Sequence, residues 1–366
     1  MKNRNFRTAA VLLLIIGLMA GVLAGCGKSS GQDSAADTAS GSSVGAAASS
    51  SADSQAQNTG TDNGDTTPFK INIAVDSGTF AYPFWVANNK GILKKYNIDA
   101  SFQTYAYGID TINAVQLDQA DIGEAMDFAA VSRLGGASEL QFISFIAGYK
   151  MTGSQLFALK DDIQRVEDLA GKSVVVQKGT VNEYVWAQTY AKFGIDPKSV
   201  NPLYISSTAE GLALVKSGDA DAIWAGGDIN DQVIGLGGRS LGDYSLIGFA
   251  PQGFLMLKKP YLEKNNEGIQ RLLKALKEAV DAINADPKGT AEIIKDNFKI
   301  PVENIAKALG DSLFDVRFSQ QDADQLDGVT KWSIQNKLIK YDFNVKDYIY
   351  LKPLQAVFPD TVTYKN

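Results

Sequence analysis

The chain has 366 residues, with 35 basic and 41 acidic side chains, one cysteine and no histidine. A net charge of −6 argues against nucleic-acid binding, which needs a positive surface to neutralise phosphates. The absence of histidine excludes serine or cysteine nucleophiles that are activated by imidazole. It also excludes zinc sites built from His and Cys. Paired carboxylates remain available for acid–base chemistry, but no motif pairs them, so we expect no enzyme, no metal and no cofactor.

The N-terminus predicts a secretory signal. Three basic residues within the first seven precede an apolar run from Ala9 to Leu23, and small residues follow. The apolar run is shorter than the roughly 20 residues that a spanning helix needs, which argues against an uncleaved anchor. The motif Leu23-Ala24-Gly25-Cys26 resembles a bacterial lipobox, which implies that residues 1–25 are removed and that Cys26 carries a diacylglyceryl group. We therefore expect an extracytoplasmic protein held on the lipid bilayer through Cys26.

Residues 26–67 are predicted to form the lipidated cysteine and a disordered tether. From Gly27 to Thr67 there is no aromatic residue, Leu or Ile. Such a segment cannot bury enough apolar surface to offset its ordering entropy. As a flexible coil of about forty residues, it would span roughly 35 Å between bilayer and folded domain.

From Pro68 onward, strand and helix patterns alternate, which indicates parallel α/β sheets. Strands are predicted at 70–75, 102–105, 122–126, 173–176, 203–205 and 222–224. Helices are predicted at 83–96 with an interruption at Gly91, at 108–117, 181–193 and 209–216, and then, in a mostly helical region after Tyr261, at 269–284, 290–297, 302–309 and 320–335.

One internal similarity indicates a duplicated unit. Residues 114–123 resemble residues 213–223 if one inserted residue is allowed. Each segment reads as a helix end, a tight turn, Ala-Asp and a short apolar strand, and an acidic residue follows each strand, Asp127 in the first and Asp228 in the second. This spacing suggests two similar lobes rather than a short-period solenoid.

Ligands of open α/β sheets bind beyond the carboxyl ends of the strands, so the strand-to-helix junctions are the candidate site. These junctions combine aromatic walls with a few polar groups, as small-molecule pockets do. The candidate ligand-binding residues are Ser77, Gly78, Thr79, Phe80, Tyr82, Tyr107, Asp127, Phe128, Gly179, Thr180, Trp224, Gly227 and Asp228.

Two chemical preferences compete at these junctions. Thr180 and Glu183 have the spacing of a capping box, and a helix beginning at Thr180 would favour an anion, although an ordinary capped helix explains the pattern equally well. Asp76, Asp127 and Asp228 would instead repel an anion unless they cap helices or pair with bases. If they face the cleft, a ligand with an amine or ring N–H donor is preferable.

The motifs together resemble a known family, the extracytoplasmic solute-binding proteins of the sulfonate, nitrate and taurine type, whose relatives bind thiamine-pyrimidine precursors. The resemblance covers roughly 69–318 and depends on the segments 83–99, 120–123, 166–172, 177–180 and 218–222. It implies a two-lobed α/β fold of the periplasmic-binding-protein type (type II), with mostly parallel sheets flanked by helices and a hinge between the lobes. By this resemblance, residues 69–155 and 250–366 form one lobe and residues 156–249 the other.

The resemblance implies a monomeric receptor that closes over a small organic solute and hands it to an ABC permease in the membrane. A sulfonate, taurine or nitrate-like solute is the leading hypothesis. The alternative is an aminopyrimidine stacked on Tyr or Trp and hydrogen-bonded to Asp127 or Asp228. The segment Ala225-Gly226-Gly227 departs from the acidic or proline-containing stretch that often follows in the family, so the ligand class stays open. A surface sensor and a carboxylate-based hydrolase are the hypotheses from other classes.

Overall fold

The computed structural model describes residues 67–365. The predictions for the signal peptide, for Cys26 and for the tether up to residue 66 lie outside the described residues. Within the described range, no helix combines the length and apolarity that crossing a bilayer requires.

The strands form two sheets. Their bounds are β1 Phe69–Asp76, β2 Ile98–Tyr105, β3 Ile122–Met126, β4 Leu140–Tyr149, β5 Ser154–Ala158, β6 Ser173–Gln177, β7 Asn201–Ile205, β8 Ala222–Gly226, β9 Arg239–Asp243, β10 Gln252–Lys258 and β11 Ser312–Arg317. The first sheet has the strand order β11-β4-β10-β3-β1-β2, and the second has the order β7-β6-β8-β5-β9.

Helices surround both sheets, and the predicted strand–helix alternation is confirmed. Their bounds are α1 Tyr82–Asn89, α2 Ile92–Lys95, α3 Gly108–Gln116, α4 Asp127–Val131, α5 Val181–Phe193, α6 Thr208–Ser217, α7 Asp228–Gly235, α8 Lys259–Lys264, α9 Asn266–Ala285, α10 Pro287–Ile294, α11 Val302–Asp311, α12 Gln320–Gln335 and α13 Lys352–Val357. The interruption expected at Gly91 separates α1 from α2, where this glycine adopts a φ of 71° that a residue without Cβ reaches without strain.

The α/β class is confirmed, but the sheets are mixed rather than mostly parallel. β1 pairs in parallel with β2 and β3, and β6 pairs in parallel with β7 and β8. β10 is antiparallel to β3 and β4, and β5 is antiparallel to β8 and β9. The route of the chain explains these antiparallel pairs. β5 and β10 each enter their own sheet directly from the other sheet, at the edge where the parallel strands end, so they run antiparallel to those strands.

The repeated unit seen in the sequence occupies equivalent places in the two sheets. In the first sheet, the carboxylate of Asp121 accepts the N–H of Asn72 at 2.7 Å, and the N–H of Asp121 donates to the carbonyl of Asn72 at 2.8 Å. In the second sheet, Asp221 and Ser173 make the same pair of bonds at 2.7 and 2.8 Å. The Ala-Asp element therefore links the start of the third strand of each unit to the first strand of that unit through two hydrogen bonds.

The alignment of the two units needs no insertion, contrary to the sequence comparison. The two residues before Asp121 donate their N–H groups to the carbonyl of Ala114, and the two residues before Asp221 donate theirs to Leu214. Positions 114 and 214 therefore correspond. The sequence comparison matched alanine with alanine and so introduced a gap that the backbone hydrogen bonds do not support.

The chain crosses between the sheets twice. The first crossing lies between Tyr149 at the end of β4 and Ser154 at the start of β5, and the second lies between β9 and Gln252 at the start of β10. The crossings run side by side at one point, where the N–H of Tyr149 donates to the carbonyl of Pro251 at 3.0 Å. Both crossings meet the sheets at the carboxyl ends of the parallel strands, which is where the predicted site residues lie.

Candidate functional site

Two carboxyl groups meet at the ends of β1 and β3. Glu124 is fully buried, and its Oε1 accepts the N–H of Asp76 at 2.8 Å. Asp76 in turn accepts the N–H of Gly78 at 2.8 Å, which shapes the turn after β1. Burial, followed by the charge of Asp76, raises the pKa of Glu124 well above its usual value, and burial also raises the pKa of Asp76.

Asp127 is the first residue of α4 and is also fully buried. Its Oδ1 accepts the N–H of Phe128 at 2.7 Å, while its Oδ2 accepts the amide of Gln325 at 2.7 Å and the N–H of Gln252 at 3.3 Å. Burial raises the pKa of Asp127 to about 6, and these hydrogen bonds oppose the rise. Met126 is the N-cap residue of α4, so Asp127 does not have the N-cap role that the sequence suggested for it.

Aromatic side chains cover the carboxyl groups in the first sheet. Phe80 is buried against the ring of Tyr149, with ring centroids 5.5 Å apart. Tyr82 is buried against Phe298 at 4.7 Å, and burial raises its pKa to about 12. Burial also raises the pKa of Tyr149, and the charge of Asp76 adds to the shift, which places this hydroxyl in the field of the carboxyl pair.

The second sheet contributes a matching aromatic group. Trp224, in β8, stacks on Tyr244 with ring centroids 5.2 Å apart, and its indole N–H donates to Thr189 at 3.2 Å. Tyr184, in α5, is buried with its ring 4.9 Å from that of Phe249. The predicted wall residue Trp224 is thus accompanied by two tyrosines that the sequence analysis did not select.

The two groups meet around Asp127. Burial and then the charge of Asp127 raise the pKa of Tyr184 to about 12, and the same charge acts on Tyr244, whose pKa also rises to about 12. The ring of Tyr184 lies 5.3 Å from that of Trp332 in α12, and Trp332 lies 6.3 Å from Phe128. Side chains from both sheets therefore enclose one small region at the strand ends.

The junction at Gly179 and Thr180 is organised differently from the prediction. Thr180 is the N-cap of α5, as expected, and its hydroxyl accepts the N–H of Asn182 at 3.2 Å. Glu183, however, accepts the N–H of Gly179 at 2.8 Å instead of closing the box on Thr180. An anion at this junction would have to displace a carboxylate from that N–H group.

The remaining predicted site residues lie at the edges of this region. Ser77 is exposed and donates to the carbonyl of Ala106 at 3.2 Å, Thr79 is half-buried, and Tyr107 is 65% exposed before α3. Gly227 is exposed, and Asp228 begins α7. These positions stay predictions as ligand contacts.

The residues of this region that are absent from the sequence-based candidate list are Glu124, Tyr149, Tyr184, Tyr244, Phe249, Gln325 and Trp332. One signal was available for Glu124: a carboxyl group within the five-residue buried strand Ile122–Met126 requires a polar partner. Apart from Tyr184, the others lie in parts of the chain that are remote in sequence from the predicted junctions, and only folding brings them to this region.

The region is acidic and closed. No ion pair within residues 67–365 includes Asp76, Glu124 or Asp127, and Arg133, in the turn after α4, donates to Asn113 at 2.7 Å. Two open surface grooves, of about 510 and 710 Å³, are lined by other residues. The same range contains no cluster of three side chains suited to a metal ion.

Comparisons with known proteins agree with this architecture. An aliphatic sulfonates-binding protein of Escherichia coli (strain K12) is 22% identical over 249 residues, which cover 67% of this chain and 76% of the relative. The crystal structure of the periplasmic aliphatic sulphonate binding protein SsuA from Escherichia coli superimposes with a TM-score of 0.69 at 19% identity, covering 78% of this chain and 98% of SsuA. The alkanesulfonate-binding protein SsuA from Xanthomonas axonopodis pv. citri, bound to MOPS, gives a TM-score of 0.63 at 17% identity, covering 78% and 99%.

The fold also occurs in an enzyme. The desulfurization enzyme DSZB superimposes with a TM-score of 0.57 at 13% identity, covering 80% of this chain and 99% of the enzyme. A family model described as NMT1/THI5 like matches residues 79–290, which is more than half of the chain. The chain therefore belongs to the NMT1/THI5-like family, and it has the fold of the periplasmic binding proteins.

Proposed function

We propose that this protein is the solute-binding component of an ABC importer and captures a small organic solute by closing two lobes. One observation carries the proposal: polar and aromatic side chains from both parts of the fold meet around Asp127. Tyr184, in α5, and Tyr244, directly after β9, come from the part that contains the second sheet. A region enclosed from two sides at strand ends suits a solute that is released when the sides separate. The relatives named as sulfonate-binding proteins of periplasmic type support this role.

The lobes of this proposal follow the two sheets. Residues 69–155 and 250–366 would form one lobe, and residues 156–249 the other, with the two chain crossings as the hinge. Every strand of the first sheet falls within the first set of residues. The strands of the second sheet fall within the second set, except that β5 begins at Ser154, two residues before residue 156. Ligand contacts to both lobes would then favour the closed state.

The sulfonate hypothesis is supported by the names of the relatives, and the taurine and nitrate hypotheses rest on the sequence resemblance alone. The aminopyrimidine hypothesis is favoured by the residues of the site. The carboxyl groups of the buried Glu124 and Asp127 and the half-buried Asp76 have no ion-pair partner among the described residues, and the negative charge that they carry when ionised disfavours an anion near them. Aromatic walls and carboxyl acceptors suit a flat ring that carries N–H donors. We therefore place a donor-bearing solute ahead of a simple anion.

Binding rather than catalysis is the role we propose. The chain has no histidine, which removes the commonest general base. Among the described residues, the carboxyl pair of Asp76 and Glu124 is an arrangement that acid–base chemistry could use, and the enzyme DSZB has the same fold. Chemical conversion of a bound solute, detected by mass spectrometry, would contradict this part of the proposal.

The location and partners complete the proposal. A monomeric receptor, lipidated at Cys26 and tethered outside the cytoplasmic membrane, would remain close to its permease while its lobes open and close. This part of the proposal rests on the sequence alone, namely on the lipobox and the composition of the tether, because both precede the described residues.

Native mass spectrometry of the full chain purified in detergent tests the role directly. We expect a co-purified mass of a few hundred daltons at most, and small-angle X-ray scattering should show expansion when this solute is removed and compaction when it returns. A chain that carries no solute and keeps the same radius of gyration with every small molecule offered would contradict the proposed function.

A further inference from the structure

One ion pair connects the two proposed lobes. The ammonium nitrogen of Lys307, in α11, lies 2.5 Å from a carboxylate oxygen of Asp231, in α7. By the proposed division, α11 belongs to the first lobe and α7 to the second. Among the other described residues, every ion pair joins two members of the same proposed lobe. The pair of Lys307 and Asp231 is therefore one that a separation of the lobes can break.

Both helices are bound to the first chain crossing between the sheets. The N–H of Lys150 donates to the carbonyl of Asp311 at 3.2 Å, and its ammonium group donates to the carbonyl of Gly310, so the crossing holds the C-terminus of α11. The N–H of Gly227, the N-cap residue of α7, donates to the carbonyl of Gly153 at 3.3 Å. The same short segment thus holds one end of each helix.

The two charges lie close to this crossing. Asp231 is four residues from Gly227, and Lys307 is three residues from Gly310. Each charge is therefore about one helical turn, roughly 5 Å along the helix axis, from the bound end of its helix. Because opening would rotate α7 relative to α11 at the crossing, it would change the distance between the charges while the backbone bonds at the crossing remain.

The charges of the two helices are suited to a reversible pair. Lys307 is the one basic residue of α11, and α7 contains acidic residues but no basic one. Glu303 and Asp311 precede and follow Lys307 by four residues, a spacing at which side chains of opposite charge interact on a helix. When the lobes separate, the ammonium group can therefore turn to a carboxylate of its own helix.

The pair is accessible to solvent and salt. The side chain of Lys307 is 42% exposed and that of Asp231 is 70% exposed. Exposed ion pairs contribute modestly to stability and are screened by dissolved ions. A contact of this strength can shift the balance between two arrangements of the lobes without fixing either.

A local role for Asp231 would not involve Lys307. A carboxylate in the first turn of α7 interacts favourably with the N-terminus of its own helix. In that case, removing the charge of Lys307 would leave the arrangement of the lobes unchanged, so the lysine variant distinguishes the two roles.

We propose that Asp231 and Lys307 form an electrostatic latch, which stabilises the closed arrangement of the lobes and weakens as the ionic strength rises. This inference rests on the proposed receptor function and adds a regulation of its site. Solute affinity falls with increasing salt, because the closed state that holds the solute becomes less populated.

Double electron–electron resonance on the full chain in detergent measures the opening without any added solute. Spin labels on Ala191→Cys in α5 and Gln335→Cys in α12, both exposed positions, report the distance between the lobes in a Cys26→Ser background. We expect a short and a long distance. The ratio of short to long should fall at least about twofold between about 0.01 M and about 1 M NaCl, since the Debye length shortens from about 30 Å to about 3 Å.

Charge variants assign this effect to the pair. At the lower salt concentration, Asp231→Asn and Lys307→Met should each reduce the ratio about twofold to fivefold, which is the range of an exposed ion pair. The reversed pair, Asp231→Lys with Lys307→Asp, should restore the ratio and its dependence on salt. The matched control is Lys277→Met, which removes an ion pair with Asp281 inside α9 and should leave the ratio unchanged.

Three results would overturn the latch: a ratio that does not respond to salt, a Lys307→Met chain that opens no further than the wild type, or a reversed pair that does not restore the ratio. A single distance under all conditions also counts against it. None of these results decides the receptor function, which the co-purified mass in native mass spectrometry tests separately.

Discussion

Asp127 shows how burial and hydrogen bonding oppose each other at a single residue. Burial raises its pKa from 3.8 to about 6, while bonds from Gln325, Phe128 and Gln252 favour the charged form. Because the folded-state pKa is raised, the folded protein binds more protons than the unfolded chain between about pH 4 and pH 6. Stability therefore falls as the pH rises through this window.

We predict that Asp127→Asn removes this part of the pH dependence. Relative to the variant, the wild-type chain should lose about 2–3 kcal/mol of unfolding free energy between pH 4 and pH 7, since each pKa unit corresponds to about 1.4 kcal/mol. Urea unfolding at a series of pH values measures the difference. Taking the difference cancels the contributions of Asp76 and Glu124, whose raised pKa values act in the same direction. Parallel profiles for the two proteins would contradict the assignment.

At the scale of elements, the Ala-Asp unit repeats a structural device in both sheets. Asp121 and Asp221 each accept a backbone N–H of a first strand at 2.7 Å. We predict that Asp121→Ala and Asp221→Ala each lower the free energy of unfolding by about 1 kcal/mol or slightly more, because a strand N–H loses its acceptor. Asp219→Ala is the control, since within residues 67–365 the one hydrogen bond of its carboxylate comes from the hydroxyl of the exposed Ser217. Variants at the two paired positions that unfold like the control would reject this role.

The elements also show which parts of the structure the sequence can predict. The bounds 181–193 and 320–335 agree with α5 and α12, because polar and apolar residues alternate there with helical spacing and caps mark the ends. The strands β4, β5, β9, β10 and β11 were missed. β4 and β10 are buried along nearly their whole length, so their sequences lack the alternation of polar and apolar residues that marks a half-buried strand. The site was only partly predictable for a related reason: Gln325 bonds Asp127 across 198 residues, and no local pattern encodes that contact.

At the scale of the whole molecule, the first prediction concerns the proposed lipid anchor at Cys26. The chain has one cysteine, so a single thiol is available for lipidation. We predict that an alkyne-bearing fatty acid fed to expressing bacteria labels the wild-type protein and the control Ser29→Ala, but not Cys26→Ser. In-gel fluorescence after click coupling measures the label. An unlabelled wild-type chain, or a label that persists in Cys26→Ser, would contradict the anchor.

The proposed closure of the two lobes depends on contacts that join them, and the contact of Tyr184 with Trp332 is one, whereas Phe249 belongs to the same proposed lobe as Tyr184. Its ring packs edge-on against Phe249 at 4.9 Å and against Trp332 at 5.3 Å, and so links α5 to α12. Aromatic pairs of this kind contribute about 0.5–1.5 kcal/mol each beyond buried area. We predict that Tyr184→Ala weakens solute binding between about twofold and tenfold and increases the radius of gyration of the solute-bound chain, because the proposed closed state loses the pair with Trp332. Tyr204→Ala, at an exposed position in β7, should change neither quantity in calorimetry and small-angle scattering. A Tyr184→Ala chain that binds and compacts like the wild type would place the closing contacts elsewhere.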